Sequence, residues 1–268
     1  MTDSVFSTNE LMVCEVARHI QDGDLAFVGV GSNGRAFTLA VGIPLVAIRL
    51  AQLTHAPDCS VHWGNLLGPD LSIQPRSIDQ DVLTRWPAQA CPLDTGIKCD
   101  MIARGAFDLC FDSAAQIDQY GNLNITAIGD YRRPKVRLVG SLAQPEHLAY
   151  IRRPLIMMDL GRKSFVENVD FITSVGHFAN GQTREQLGAA PGGPALVITD
   201  KAIFDFNPVT HRMRLRSLHP EVELQQVLDN MAFMPEVPAQ IATTKAPGAR
   251  ELELIRSSID PNTTFLIA

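Results

Sequence analysis

The sequence predicts an open α/β fold in which a mostly parallel sheet is flanked by helices and carries an antiparallel addition. Two observations carry that reading. Short apolar runs of strand length, at residues 25–30, 106–112 and 155–159, alternate with longer stretches whose apolar residues recur at helical spacing. Such alternation marks parallel strands joined by crossover helices. Later in the chain three β-rich runs, 195–199, 202–206 and 213–218, follow one another with little between them, and strands so closely spaced pair antiparallel. No internal repeat and no stretch rich enough in Pro, Gly or Ser divides the 268 residues, so 1–268 reads as a single domain.

In chain order, Ser7 or Thr8 is placed to cap a helix running to about residue 21. Leu11, Met12, Glu15, Val16, His19 and Ile20 share one face of it, and Asp22-Gly23-Asp24 ends it. A buried strand at 25–30 runs into a glycine-rich loop at 29–37. Gly42-Ile43-Pro44-Leu45 opens a second helix, with Pro44 in the first turn and Leu45, Val46, Ile48, Leu50, Ala51 and Leu53 toward a core. A turn and a short strand lead to an elbow at Gly64-Asn65. Residues 69–100 read as an irregular excursion with a short helix near 79–86. The strand at 106–112 ends in a second elbow, 113–124, which Gly121-Asn122 closes by supplying positive φ. Strands at 155–159 and 169–172, a mobile surface loop at 181–194, the three late strands, and helices at 222–230 and 251–259 complete the chain.

Composition excludes several classes. A formal charge of −6 gives no basic footprint for nucleic acid. Five scattered cysteines, Cys14, Cys59, Cys91, Cys99 and Cys110, form no CxxC pair and show no metal-ligand spacing. With no secretory signal at the N-terminus, they read as reduced thiols of a cytoplasmic protein that holds no metal. No apolar run approaches the ~18 residues of a membrane span.

Three stretches are candidates for chemistry. The first elbow sets His62, Trp63 and Asn65 at a strand tip, where open α/β sheets collect ligands. With an intrinsic pKa near 6.5, His62 suits a general base. Trp63 suits stacking on a ring or acyl chain, and Asn65 suits donation to a carbonyl; each of the three also suits plain structural packing. In the glycine loop, Gly29, Gly31 and Gly34 match GxGxxG, but no acidic residue follows at the dinucleotide distance. The loop is either a tight strand-to-helix turn or a set of N–H donors, with Ser32, Asn33, Gly34 and Arg35 facing a carbonyl or phosphate. The second elbow is another turn at a strand end, holding Ser113, Ala114, Gln116 and Asn122.

Several of these segments together resemble the β-type subunit of the family I CoA-transferases, which have the NagB/RpiA-like fold. The carriers are Val41-Gly42-Ile43-Pro44-Leu45-Val46-Ala47, Leu53-Thr54-His55-Ala56-Pro57-Asp58 and Gln116-Ile117-Asp118-Gln119-Tyr120-Gly121-Asn122-Leu123-Asn124. Residues 165–173, Val175-Gly176-His177 and Ser217-Leu218-His219-Pro220 follow in family order. The resemblance implies an acyl-CoA site shared with an α-type partner subunit, as αβ or α2β2, with no cofactor beyond the coenzyme A of the substrate. It also implies that an elbow glutamate, in a motif near Ser-Glu-Asn-Gly-Leu-Leu-Gly, attacks the thioester. His62-Trp63-Gly64-Asn65-Leu66-Leu67-Gly68 corresponds to that motif, so Trp63 stands where the nucleophile belongs. Ser113-Ala114-Ala115 corresponds to a Gly-Ala-Met run beside the oxyanion site, which makes the Ala114 amide and Gln116 candidates for substrate contact.

Without a carboxylate at residue 63, no glutamyl-CoA intermediate arises there. The chain is then most similar to the glutamate-less branches, namely hydrolases that cleave rings of steroid-derived CoA thioesters and glutaconyl-CoA decarboxylases. Hydrolysis, decarboxylation or C–C cleavage is the expected reaction. The alternatives are genuine CoA transfer, or a non-catalytic subunit completing the partner's pocket.

Overall fold

The computed structural model describes residues 6–29, 31, 33–73, 86–90 and 94–267. Ser32, Cys91 and nearly all of the short helix expected at 79–86 lie outside the described residues. The chain forms two compact units, Met1–Lys98 with Phe107–Phe111 and Lys245–Ala268, and Cys99–Ala106 with Asp112–Thr244.

In the first unit, α1 (Thr8–Arg18) begins on a capping box. Ser7 Oγ accepts the Glu10 N–H at 3.2 Å and the Glu10 carboxylate accepts the Ser7 N–H at 2.7 Å, so two donors that a helix start strands are satisfied. The helix stops at Arg18 rather than near 21, because the amides of His19 and Ile20 close a tighter turn onto Val16 and Ala17.

β1 (Leu25–Val28) follows, and then α2, which runs over Arg35–Thr54. This helix starts seven residues before the expected Gly42. It contains a π turn at Thr38–Gly42, where the Ile43 N–H reaches back to Thr38 O. Pro44 is therefore an interior residue, and the ladder shifts just ahead of the position that has no N–H to give. Gly42 is required there, since a Cβ would lie 2.0 Å from Phe265 O. The 20-residue helix is apolar enough to span a membrane, yet 72% of its apolar window is buried and α1 packs on it, so it is a core helix of this unit.

β2 (Ser60–Trp63) pairs parallel with β1. β3 (Leu66–Pro69) returns antiparallel on β2, and β4 (Ala88–Ala90) adds antiparallel to β3. After α3 (Thr95–Ala103), β5 (Leu109–Asp112) pairs parallel on the other side of β1.

The second unit opens with two hairpins, β6 (Gln116–Ile117) with β7 (Leu123–Asn124), and β8 (Ala127–Ile128) with β9 (Val136–Arg137). The short helix α4 (Gln144–Tyr150) leads to β10 (Arg153–Met157). A small hairpin, β11 (Phe178–Ala179) with β12 (Gln182–Thr183), precedes the late strands. β13 (Leu196–Ile198) lies parallel to β10, while β14 (Ala202–Phe206) and β15 (Met213–Leu218) add antiparallel to it in the expected order. α5 (Leu224–Asp229) follows, and β16 (Ala242–Thr243) pairs parallel with β15. Ile117, Leu123, Ile156, Phe165, Val197, Phe204 and Met213 are among the side chains of this unit's core. The fold is thus α/β as expected, with parallel pairing in each unit and antiparallel strands added.

The chain ends in the first unit with α6 (Ala249–Leu254), which continues through a π turn at Ile255–Ile259. The Asp260 carboxylate collects the N–H groups of Thr264, Phe265 and Leu266. That clasp sets Phe265 against Gly42.

Two sequence expectations are corrected in the second unit. Residues 169–172 form no strand, because their polar groups are taken by side chains: the Asp170 N–H donates to Gln116 Oε1 at 3.0 Å and its carboxylate accepts the Gly129 N–H at 2.9 Å. The loop at 181–194 is pinned by Arg184, which is 1% exposed. Its guanidinium donates to Gly176 O at 2.9 Å, Ala190 O at 2.8 Å and Leu148 O at 2.6 Å. Burial pulls the Arg184 pKa below its ordinary value, yet the guanidinium meets backbone carbonyls in place of a carboxylate. Replacing it with Met strands those carbonyls, so Arg184→Met is expected to lower the unfolding free energy in urea by about 2–4 kcal/mol; an unchanged midpoint contradicts the clamp.

Candidate active site

The first elbow is a two-residue hairpin turn. Gly64 adopts φ 59° and its N–H donates to Val28 O at 3.1 Å, and Asn65 beside it is half-buried. The strand geometry separates what the sequence sets side by side. Successive side chains of a strand leave on opposite faces, so His62 and Trp63 do not converge on one site.

His62 is 1% exposed, stacked on Phe27 with centroids 5.6 Å apart and edge-on to Phe107 at 5.8 Å. Neither ring nitrogen has a hydrogen-bond partner among the described residues. Burial, and then the Lys98 ammonium, push its pKa from the ordinary 6.5 to about 4. Such an imidazole is neutral near pH 7 and closed in by rings, which is a poor setting for the base expected of it. Trp63, also 1% exposed, meets Trp86 at 5.2 Å and Phe265 at 6.3 Å, and its indole N–H has no partner among the described residues.

Of the glycine loop, Asn33 and Gly34 are exposed, and Gly34, at φ 60°, stands at the start of α2. Arg35 is half-buried and its Nη1 donates to Asn9 Oδ1 at 2.5 Å. Close packing explains part of the glycine pattern, since a Cβ on Gly31 would lie 2.8 Å from Val41.

The second elbow, in the other unit, is held from within. Gln116 uses its amide on Asn124 and Asp170. Asn122 is buried; it donates to Asp118 Oδ2 at 2.9 Å and Phe178 O at 3.0 Å, and its carbonyl accepts the Gly176 N–H at 2.8 Å. Both Asn122 side-chain donors are therefore used within the second unit, as are the Gln116 carbonyl and one of its N–H groups. Ser113 and Ala114 differ. They are half-buried, and the Ala114 N–H donates to none of the described residues. Free amides at a strand end are what a developing oxyanion requires.

Sequence reasoning missed Asp112, Gln144, His147 and Ser174, which surround that segment. His147 Nδ1 lies 3.1 Å from Asp112 Oδ1, and Gln144 donates to Ser113 O at 2.9 Å while accepting from Ser174 Oγ at 3.1 Å. Gln144 and His147 stand three apart, a helical spacing, but nothing local ties them to residues so distant in the chain.

His62 generates a pH prediction. Above pH 6.5 the residue is neutral whether the chain is folded or unfolded. Between 6.5 and about 4 the unfolded chain takes a proton that the folded one refuses, so this residue makes the fold less stable as pH falls through that window. Urea unfolding of His62→Phe from pH 7 to 4 is expected to show a shallower loss than the parent chain; parallel curves contradict the assignment.

Residues 10–230 match the family described as Coenzyme A transferase. The chain is 34% identical to the B-type subunit of 3-oxoadipate CoA-transferase from Pseudomonas knackmussii, over 95% of this chain and 94% of that one. It is 32% identical to the B-type subunit of glutaconate CoA-transferase from Acidaminococcus fermentans, over 97% and 95%. The crystal structure of that glutaconate enzyme superposes with a TM-score of 0.82, covering 98% of both chains at 30% identity. The cholesterol ring-cleaving hydrolase IpdB subunit of Rhodococcus jostii is 28% identical over 82% of each chain. The chain belongs to the Coenzyme A transferase family and matches the B-type subunits of its transferases over nearly its whole length.

Proposed function

We propose that this chain is the β-type subunit of a heteromeric enzyme that, with an α-type partner, acts on an acyl-CoA thioester by hydrolysis, decarboxylation or C–C cleavage, without a glutamyl-CoA intermediate. The observation that carries this reading is Trp63. The family's transferases are understood to use a glutamate at this elbow, and residues 60–69 contain no carboxylate at all. The indole is packed between Trp86 and Phe265, so no neighbouring acid reaches that place without displacing it. Covalent catalysis needs a nucleophile, and at this position the chain has none.

On this reading the thioester oxygen is received by the Ala114 amide, and a lost donor of that kind costs about 10²–10³ in rate. The acid or base comes from the partner, because His62 is enclosed and Asn65 carries no titratable group. A second reading, CoA transfer, is favoured by one observation: the two relatives that exceed 30% identity are transferase subunits.

Trapping separates the two. The chain is co-purified with its α-type partner, given acyl-CoA thioesters and quenched with borohydride. The expected result is consumption of thioester with this chain at its unmodified mass. A CoA adduct, or a carboxyl of this chain reduced in a CoA-dependent way, contradicts the proposal.

A further inference from the structure

We propose that α4 is a positioning device for the Ser113-Ala114 segment, with Gln144 and His147 as positioning residues that fix its two amides, that of Ala114 unpaired among the described residues, for the thioester reaction. The inference rests on the function proposed above, and it assigns a role to residues that no motif singles out.

The segment is gripped on both sides of those amides. Before them, the Asp112 carboxylate meets His147 Nδ1 at 3.1 Å, with Asp112 6% and His147 7% exposed. Facing a carboxylate oxygen, Nδ1 is the ring nitrogen that carries the proton. Between them, the carbonyl of Ser113 accepts from Gln144 Nε2, whose own oxygen is fixed by Ser174 Oγ. After them, the Ala115 N–H donates to Asn124 O at 3.1 Å. With Asp112, Ser113 and Ala115 all fixed, the peptide planes carrying the Ser113 and Ala114 N–H groups have little freedom to turn. A preorganised donor loses its value when its peptide plane tilts, because its strength lies in not having to reorganise.

The helix itself is held from both ends. Spanning only Gln144–Tyr150, it is too short to persist on its own. At its C-terminal end, buried Arg184 takes Leu148 O at 2.6 Å and Ala149 O at 3.4 Å. At its start, Leu142 sits at φ 47° and is 78% exposed. A leucine in the left-handed region costs about 1–2 kcal/mol, and an exposed one gains no burial in return. The chain accepts that strain where it turns into α4, just before Gln144, and bonds made by Gln144, His147 and Arg184 offset it.

The test is a kcat-against-KM comparison on the reconstituted pair. Asn keeps an N–H donor near the position of Nδ1, whereas Ala removes it. His147→Ala is expected to lower kcat about 10²-fold with KM changed less than about threefold, and His147→Asn to recover most of the loss with the parental pH profile. A parental kcat in His147→Ala overturns the proposal, and so does a His147→Asn variant as impaired as Ala. Should His147→Ala not fold, Gln144→Met gives the same decision: a kcat-selective fall supports positioning, and parental kcat overturns it. A CoA adduct on the parental chain overturns the function proposed above, while the kcat comparison still decides the role of α4.

Discussion

A strand buried on both faces must send alternate side chains to opposite sides, and in the first unit that constraint decides what β2 is able to do. Paired in parallel with β1, with β3 closing its other edge, β2 has no free side on which neighbouring residues meet. His62 is carried into a box of aromatic rings, and Trp63 is carried to the other face against Trp86 and Phe265. On the function proposed above, an indole stands in the place of an attacking carboxylate on this elbow. The C-terminal segment takes part in the closure, since Asp260 clasps the backbone around Phe265 and Gly42 lets Phe265 O approach.

The second unit is organised differently. Much of its irregular backbone is held by side chains in place of ladders. Asp170, Gln116, Asn122 and Asn124 stitch the hairpin of β6 and β7 to the segments near it, and Arg184 ties the loop at 181–194 to the end of α4. Buried polar networks of this kind stabilise only when nearly every member is satisfied. The Ala114 N–H stands out against that background as a donor that no described residue accepts.

Much of the fold was legible in the sequence. The strands at Leu25, Leu109, Leu196, Ala202 and Met213 announced themselves by apolar runs of the right length, and Ser7 or Thr8 marked the first helix start. Other features were hidden for physical reasons. Gly42 and Pro44 look like the opening of a helix, and only a π turn, which leaves no sequence signature, carries α2 through them from Arg35. Residues 169–172 have strand composition, but distant side chains claim their backbone groups. Arg184 lies in a stretch whose glycines read as mobile, and its role emerges only when carbonyls from three segments converge on it.

The candidate site was legible in a narrower sense. The substitution at Trp63 is visible as soon as the resemblance is drawn, whereas the separation of His62 from Trp63 follows from the period of a strand and the enclosure of His62 only from packing. Asp112 and His147 are 35 positions apart, and no local pattern joins them. The most direct measurement of the central claim, that this elbow supplies no nucleophile, is the initial rate of acyl-CoA consumption by the reconstituted pair as an acceptor carboxylic acid is titrated. A finite rate without acceptor, insensitive to its addition, is the result predicted; a rate that vanishes without acceptor and saturates with it contradicts the claim.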